Sequence, residues 1–476
     1  NLNSGIINST FSGIYNNGTL ELNGGTISTE HFGINNLEAS TVEFNSGKII
    51  VSTASASEII GIYNSSTKDN AIVMNGGEII AEAKGSGYAV GINSNSSGDI
   101  NIVNGTIDIS AKDHYALGIN NIETGDVKIE TGSTIIAKST NNFTRGIVTY
   151  RGNVNINGAS ITAIGGGSTG SYGVFSYADT ENTTADISVI GGSIIGQVAS
   201  GSGNAAGIGL SVNSSNATTL NISGGANIKG ISDSGIAFGI HNLSSSGNIS
   251  INGANISANS NTGREDGINN KGNNELIITG TVSTPTIINE TLTSTDKTGH
   301  GIYQSGGKLT LTNGYTIENS IGIEYPFVKG SKYGVYVTND CEFNFYDGLL
   351  EGTNELAIYG TVTNKPNSAE IRKETVEDRQ KAYLYNPDAI NNYGIIYNLD
   401  GGIVDGENPT MFTSETEEFT LINPTKENYV FTGWTGTGLT ELTKTVTLTN
   451  GKYIPTANVT LYAKWTVNEY ILAYDA

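Results

Sequence analysis

Cysteine occurs once in the 476 residues, at Cys341, so no internal disulfide and no cysteine-based metal cluster can form, and the redox compartment stays open. Basic residues are scarce: 24 Lys and Arg stand against 45 Asp and Glu, a formal charge of -21. That balance repels a phosphate backbone or an anionic membrane at long range and sets nucleic acid aside as a partner. No apolar run reaches the ~18 residues that a membrane-spanning helix needs, so nothing here predicts insertion into a bilayer. Charged residues amount to only 14%. The abundance lies in small and amide residues, 63 Gly and 57 Asn, a composition that argues against an ordinary compact enzyme. Disorder is excluded because Ile, Val and Leu return on a fixed beat.

Three signals make up that beat. Gly followed by Ile or Val recurs from Gly13 through Gly61, Gly118 and Gly239 to Gly334, mostly 27 to 34 residues apart. Behind each comes an alternating apolar pair, from Leu20/Leu22 and Val42/Phe44 to Leu309/Leu311 and Phe343/Phe345. An Asn-Gly or Gly-Gly turn then leads into a third apolar residue, such as Ile27, Ile79, Ile135 or Ile317. Period-two alternation means half-buried strands, and the glycine turns are corners. A unit of three short strands cannot bury its apolar edge alone, whereas units stacked in register build a continuous aliphatic column. The sequence therefore predicts an all-β fold: over 1-363, a parallel β-helix of about 12 rungs with three strands each. Right-handed coiling is expected from the bias of parallel crossovers, and a rung spacing of ~4.8 Å gives a rod of about 58 Å. A left-handed hexapeptide helix would need a shorter and more even repeat. The variable lengths are expected in one corner, between the third strand and the next Gly-Ile, where AKGSGYA, STNNFT and GGGSTGSY differ.

Asn stands three residues after the Gly at Asn16, Asn36, Asn64, Asn121, Asn242 and Asn270, with Gln304 in the matching place. Pointing inward, these amides can hydrogen-bond from rung to rung, a structural ladder inside the apolar column. The alternate, outward position carries Tyr15, Tyr63, Phe175, His241, Tyr303, Tyr336 and Tyr359. Aromatic faces beside amides suit sugars or peptides, which makes this a candidate binding stripe. Overlying loops or cross-rung stacking would account for the rings equally well. The outward residues of the middle strand are mixed and lack the regular Thr array of an ice-binding solenoid. Asp is missing after the NGG corners, so no calcium ladder is implied, and the four histidines have no zinc-ligand spacing. Neither a metal nor another cofactor is expected.

The tetrapeptide Gly299-His300-Gly301-Ile302 resembles a motif of polygalacturonase-type glycosidases. That resemblance implies clustered aspartates, and an inverting mechanism needs two carboxylates roughly 6.5 to 9.5 Å apart. Only Asp266 falls in register beside His300, with Phe238 and Ala206 in the preceding places, so a polysaccharide-active enzyme using Asp266 and His300 is the runner-up reading. His300 reads most simply as a corner residue, and Arg264-Glu265-Asp266 as a loop salt bridge.

The stretch 364-392 holds ten charges in 29 residues and reads as a cap and linker. A charged segment there protects an open sheet edge from polymerisation, and Ala382 to Asn386 can add a last strand. From Tyr393 the text changes: YNLDGG at Tyr397 to Gly402, NPTKENYVFTGW from Asn423 to Trp434, and YAKWT ending at Thr466. These blocks resemble the internalin-type B repeat, also called the Listeria/Bacteroides repeat. The resemblance implies a small β-grasp-like module over 393-466, of a kind found on secreted or wall-attached bacterial surface proteins. Trp434 and Trp465 are its expected core anchors. The tail 467-476 echoes the opening of that block and predicts a further repeat in the natural protein. By period and composition, the N-terminal coils are similar to adhesin and autotransporter-type β-helices (pectin-lyase-like). Together these readings predict a non-enzymatic adhesin at the bacterial cell surface. It would be a monomeric rod whose partner is a host or microbial surface glycan or protein, recognised through shape and stacking rather than charge.

Overall fold

A computed structural model describes residues 1-468 except 56, 178-184, 212-217, 245-246, 281-286, 289-297, 313-325, 368, 386-392, 413-418, 438 and 449-458. Residues expected in the cap, the third strand and the following repeat that fall there or beyond (Ile317, 386-392, 469-476) lie outside the described residues. Those described form strands and no helix. Among them, no helix is long and apolar enough to cross a membrane. Two compact units result, one chiefly of residues up to Tyr383 and one chiefly of residues from Leu384.

In the first unit the Gly-Ile segments form a 13-stranded sheet running from Ser12–Asn16 to Ile358–Tyr359. The other two strand types make up a second, 23-stranded assembly. Pairing from coil to coil is parallel, as in a parallel β-helix. The alternating pairs stack in one unbroken register, Val42 on Ile72, then Ile100, Val127, Val154, Ile187, Leu220, Ile249, Leu276, Leu309 and Phe343. Residues of this column are almost wholly buried, and the period-two pattern dictates it, since alternate side chains share one face. In four coils the middle and third strands fuse: Thr19–Thr29, Thr41–Thr53, Leu220–Ser232 and Ile249–Ser260 run 11 to 13 residues. There the intervening turn is a bulge or irregularity in the ladder rather than a break.

The amide ladder is present. Asn16 donates to Asn36 at 2.8 Å, Asn36 to Asn64 at 2.9 Å, and Asn64 continues to Ser94 at 3.0 Å. Further along, Asn242 donates to Asn270 at 2.6 Å and Asn270 to Gln304 at 2.9 Å. Asn121 departs from the expected ladder: it stands between Ser94 and Thr149 on the neighbouring coils and donates instead to the Gly125 carbonyl, whereas the other amides each bond a neighbour in a bore where an unpaired group is costly.

The expected corner does vary in length, but variation is not confined to it. The connection from third strand to next Gly-Ile strand has four residues between Ser139 and Thr144, Ser232 and Ala237, and Ser260 and Glu265, but two between Thr29 and Phe32, five between Ala83 and Ala89, and eleven between Ile288 and His300. The connection after the Gly-Ile strand varies as well, from two residues between Asn16 and Thr19 to ten between Ser176 and Ile187. Those four-residue connections share a recurring serine cap. The Ser232 hydroxyl donates to the Gly203 carbonyl and accepts the Gly235 amide, and Ser260 repeats this with Gly235 and Gly263.

Near the end of the coils, Arg379–Tyr385 pairs antiparallel with Leu349–Gly352, placing Ala382 opposite Leu350 with neither exposed. An antiparallel strand at that edge cannot template another parallel coil.

The second unit has a mixed five-stranded sheet. Tyr393–Asn398 lies parallel to Val459–Val467, which pairs antiparallel with Tyr429–Gly436, and Leu439–Thr443 lines the edge. Its core comprises Ile395, Leu421, Trp434, Val446, Val459, Leu461 and Ala463. Trp465 is only partly buried against that core, and its indole donates to the Leu399 carbonyl at 3.2 Å.

Candidate functional site: the outer face of the Gly-Ile sheet

Each Gly-Ile strand places its isoleucine in the bore and the residue after it outside. The glycine also faces the bore: a Cβ on Gly33 would meet Ile49 Cγ2 at 2.3 Å and the Gly61 carbonyl at 2.4 Å. The residue before the glycine turns onto the outer side, where it meets the residue three places on. Phe238 stacks on His241 at 3.9 Å, and Tyr333 lies 5.7 Å from Tyr336. The outer face therefore carries two columns of side chains, where strand alternation predicts one. Aligning the coils would have revealed the second, since Phe32, Ile60, Val90, Leu117, Tyr172 and Phe238 are apolar at a nominally outward position.

Between residues 32 and 150 this face is a second apolar cluster: Ile60, Val90, Leu117 and Val148, with Phe32, Tyr63, Tyr88, Tyr115, Phe143 and Tyr150 packed on it. Tyr88, Tyr115 and Phe143, each in the corner before a Gly-Ile strand, stack at 4.5 and 5.0 Å. Tyr63 is packed into this layer, 6.5 Å from Phe32. Tyr15 stands apart, 61% exposed, its hydroxyl accepting from Ser12. Phe175 leans on Tyr172 at 4.9 Å and lies against the Arg145 guanidinium. His241 departs from its expected outward exposure: it is 8% exposed, covered by the Phe238 ring.

Tyr303 and Tyr336 are brought together, stacked at 5.2 Å, and Tyr359 continues the stack at 4.5 Å with rings 1° from parallel. Stacked this way the rings spend their faces on each other and present edges and hydroxyls. Tyr359 is 43% exposed. Arg264 lies over Tyr303 at 4.9 Å.

Asp266 and His300 stand in register on adjacent strands. Neither occupies a loop or corner. Glu265–Lys271 and His300–Ser305 are strands, and Glu265 and Asp266 are fully buried. Asp266 Oδ1 accepts from His300 Nδ1 at 2.8 Å and from Arg264 Nε at 3.0 Å. Oδ2 accepts from Asn269 at 2.7 Å and faces Arg264 Nη2 at 2.8 Å. The residues before it in the column are Phe238 and Ala206, so no second carboxylate follows in that register. Among the described residues, no group of three or more His, Cys, Asp or Glu is placed to hold a metal.

Electrostatics give this region an acid sensitivity of known sign. Burial, aided by the Lys271 charge, pushes the His241 pKa down from 6.5 to about 4. The unfolded chain therefore takes up this proton near its ordinary pKa while the folded chain does not, so the stability is intact above ~6.5 and lost as pH falls to ~4, by about 3 kcal/mol. For Asp266, burial acts upward, but the His300 hydrogen bond and the Arg264 charge outweigh it and the net direction is down. Its contribution persists above the ordinary carboxylate pKa and is lost only at lower pH. Urea midpoints of the first unit should accordingly fall first between pH 6.5 and 4. His241→Phe, which keeps the stack on Phe238, should abolish that early loss and leave the later one; an unchanged pH profile would contradict the assignment.

The family model of the Listeria-Bacteroides repeat domain matches residues 393–464. Such a domain is typical of bacterial surface proteins, which points to an extracellular location. No curated protein and no solved structure matches the chain.

Proposed function

We propose, starting from a Listeria-Bacteroides repeat domain that follows a long stack of parallel coils, that the protein is a non-enzymatic adhesin of the bacterial surface. The coiled unit is read as a right-handed β-helix of about twelve turns that presents its Gly-Ile sheet to a surface glycan or protein. The module acts as a β-grasp-like spacer, a reading supported by the parallel pairing of its first and last strands. The observation that carries the non-enzymatic part is the state of Asp266. Both its oxygens are held by Arg264, Asn269 and His300. A carboxylate so held and charged is a poor proton donor, and no partner acid stands beside it in the column.

The test has two arms. On an array of host and microbial glycans the full chain should bind a subset, and the pair Tyr303→Ala and Tyr336→Ala should weaken it; an array left empty would remove the glycan reading. Incubation with pectins and other polysaccharides should release no new reducing ends. Turnover that Asp266→Asn abolishes would replace the adhesin with the enzyme.

A further inference from the structure

Arg145 interrupts the otherwise uncharged first half of the outer column, between Leu117 and Tyr172 on the neighbouring coils. Three rings frame its guanidinium: Tyr172 at 4.4 Å, Phe175 at 4.7 Å and Phe143 at 4.8 Å. Tyr172 and Phe175 lean over Gly209, where a Cβ would come within 2.5 and 2.8 Å of them. Nη1 donates to the carbonyls of Gly170 at 2.7 Å and Thr144 at 3.1 Å, which fixes the plane of the group. Among the described residues no carboxylate lies against it, although acids outnumber bases 45 to 24 in the chain. Burial pushes its pKa down to about 10, the direction opposite to what an adjacent carboxylate would cause, and at that value the group remains a cation at neutral pH. A fixed, partly dehydrated guanidinium whose Nε–Nη2 edge has no protein acceptor among the described residues is shaped for an oxyanion taken up edge-on.

We propose that Arg145, framed by Phe143, Tyr172 and Phe175, is the recognition point for the carboxylate of an acidic sugar. This deepens the adhesin reading and rests on it. A glycan fits better than an acidic peptide on charge grounds: a chain at -21 repels a polyanion, whereas one carboxylate on an otherwise neutral oligosaccharide meets little opposition. The rings keep water from the ion pair, and their apolar edges suit the C–H face of a pyranose.

The full chain should be titrated with oligosaccharides ending in glucuronic or sialic acid and with their methyl esters. Binding of the acid at least about tenfold tighter than of the ester is expected, from the worth of a charge-assisted hydrogen bond. Arg145→Met should abolish that discrimination with far-UV circular dichroism unchanged, and Arg145→Lys should keep part of it. Should the methionine variant fail to fold, the acid-ester comparison on the unaltered chain still decides. Equal binding of acid and ester overturns the proposal, as does an Asp/Glu peptide that binds as tightly as the acidic sugar. Binding of neutral glycans alone would also refute it while leaving the adhesin reading intact, whereas an array empty of every glycan would remove both.

Discussion

Gly118→Ala should destabilise the coiled unit by about 3 kcal/mol, and Gly118→Val by about 5 or more, read from urea midpoints and from protease sensitivity around residues 91-146. The added Cβ would lie 2.4 Å from the Gly146 carbonyl of the next coil and 2.3 Å from Ile135 Cγ2. The isoleucine can turn aside, but the carbonyl belongs to a strand held in the stack on both sides. Pairing Gly118→Ala with Ile135→Ala should therefore bring no rescue, since it clears only the softer of the two obstacles and opens a cavity besides. Gly18→Ala is the control: a Cβ there meets nothing within 4 Å, and the change should move stability by less than ~0.5 kcal/mol. Damage should stay local, because each coil touches only its neighbours. A midpoint shift for Gly118→Ala no larger than for Gly18→Ala would show that the coils do not approach as closely as the bore requires.

The Gly-Ile beat was visible in the sequence, but its reason was not. Val42, Ile72 and Ile100 declare their register because alternation is a local property that stacking merely extends. Asn36 and Asn64 declare the amide ladder because they sit a fixed step from the glycine. The glycine itself answers to backbone from the next coil, some thirty residues away, which no local pattern records. The corners conceal a constraint for the same reason. AKGSGYA and STNNFT differ in composition and look free to vary, yet Tyr88, Tyr115 and Phe143 must arrive at equal heights to stack. Arg145 gives no local signal, because a single arginine in a strand reads as a solvated charge, and the rings around it come from its own corner (Phe143) and from the strand of the next coil (Tyr172 and Phe175). The register of Asp266 beside His300 is legible in the sequence, whereas their burial within strands depends on the second outer column, which strand alternation does not announce.

Trp434→Ala should abolish the folding of the second unit at room temperature while the coiled unit keeps its own transition. Trp434 is fully buried, with Phe431 at 5.5 Å and Tyr397 at 5.9 Å edge-on, and its indole donates to Asn423 at 3.0 Å. Truncating such a ring costs about 4 kcal/mol, comparable with the whole stability of a module this small. The interactions also tie together the blocks that carry the family match: Tyr397 comes from the opening strand, Asn423 and Phe431 from the central block, and Val459, Leu461 and Ala463 from the last strand. Losing the indole thus removes a fully buried side chain from the core that these blocks share. Trp434→Phe should retain a folded module at a cost of about 2 kcal/mol, from the vacated volume and the lost indole hydrogen bond to Asn423. Trp465→Ala should cost less than Trp434→Ala, since that ring lies partly in solvent. Calorimetry separates the outcomes. Two transitions in the parent, with the smaller missing in Trp434→Ala, is the expected trace. A Trp434→Ala trace in which both transitions survive would mean that this tryptophan is not the centre of the module's core.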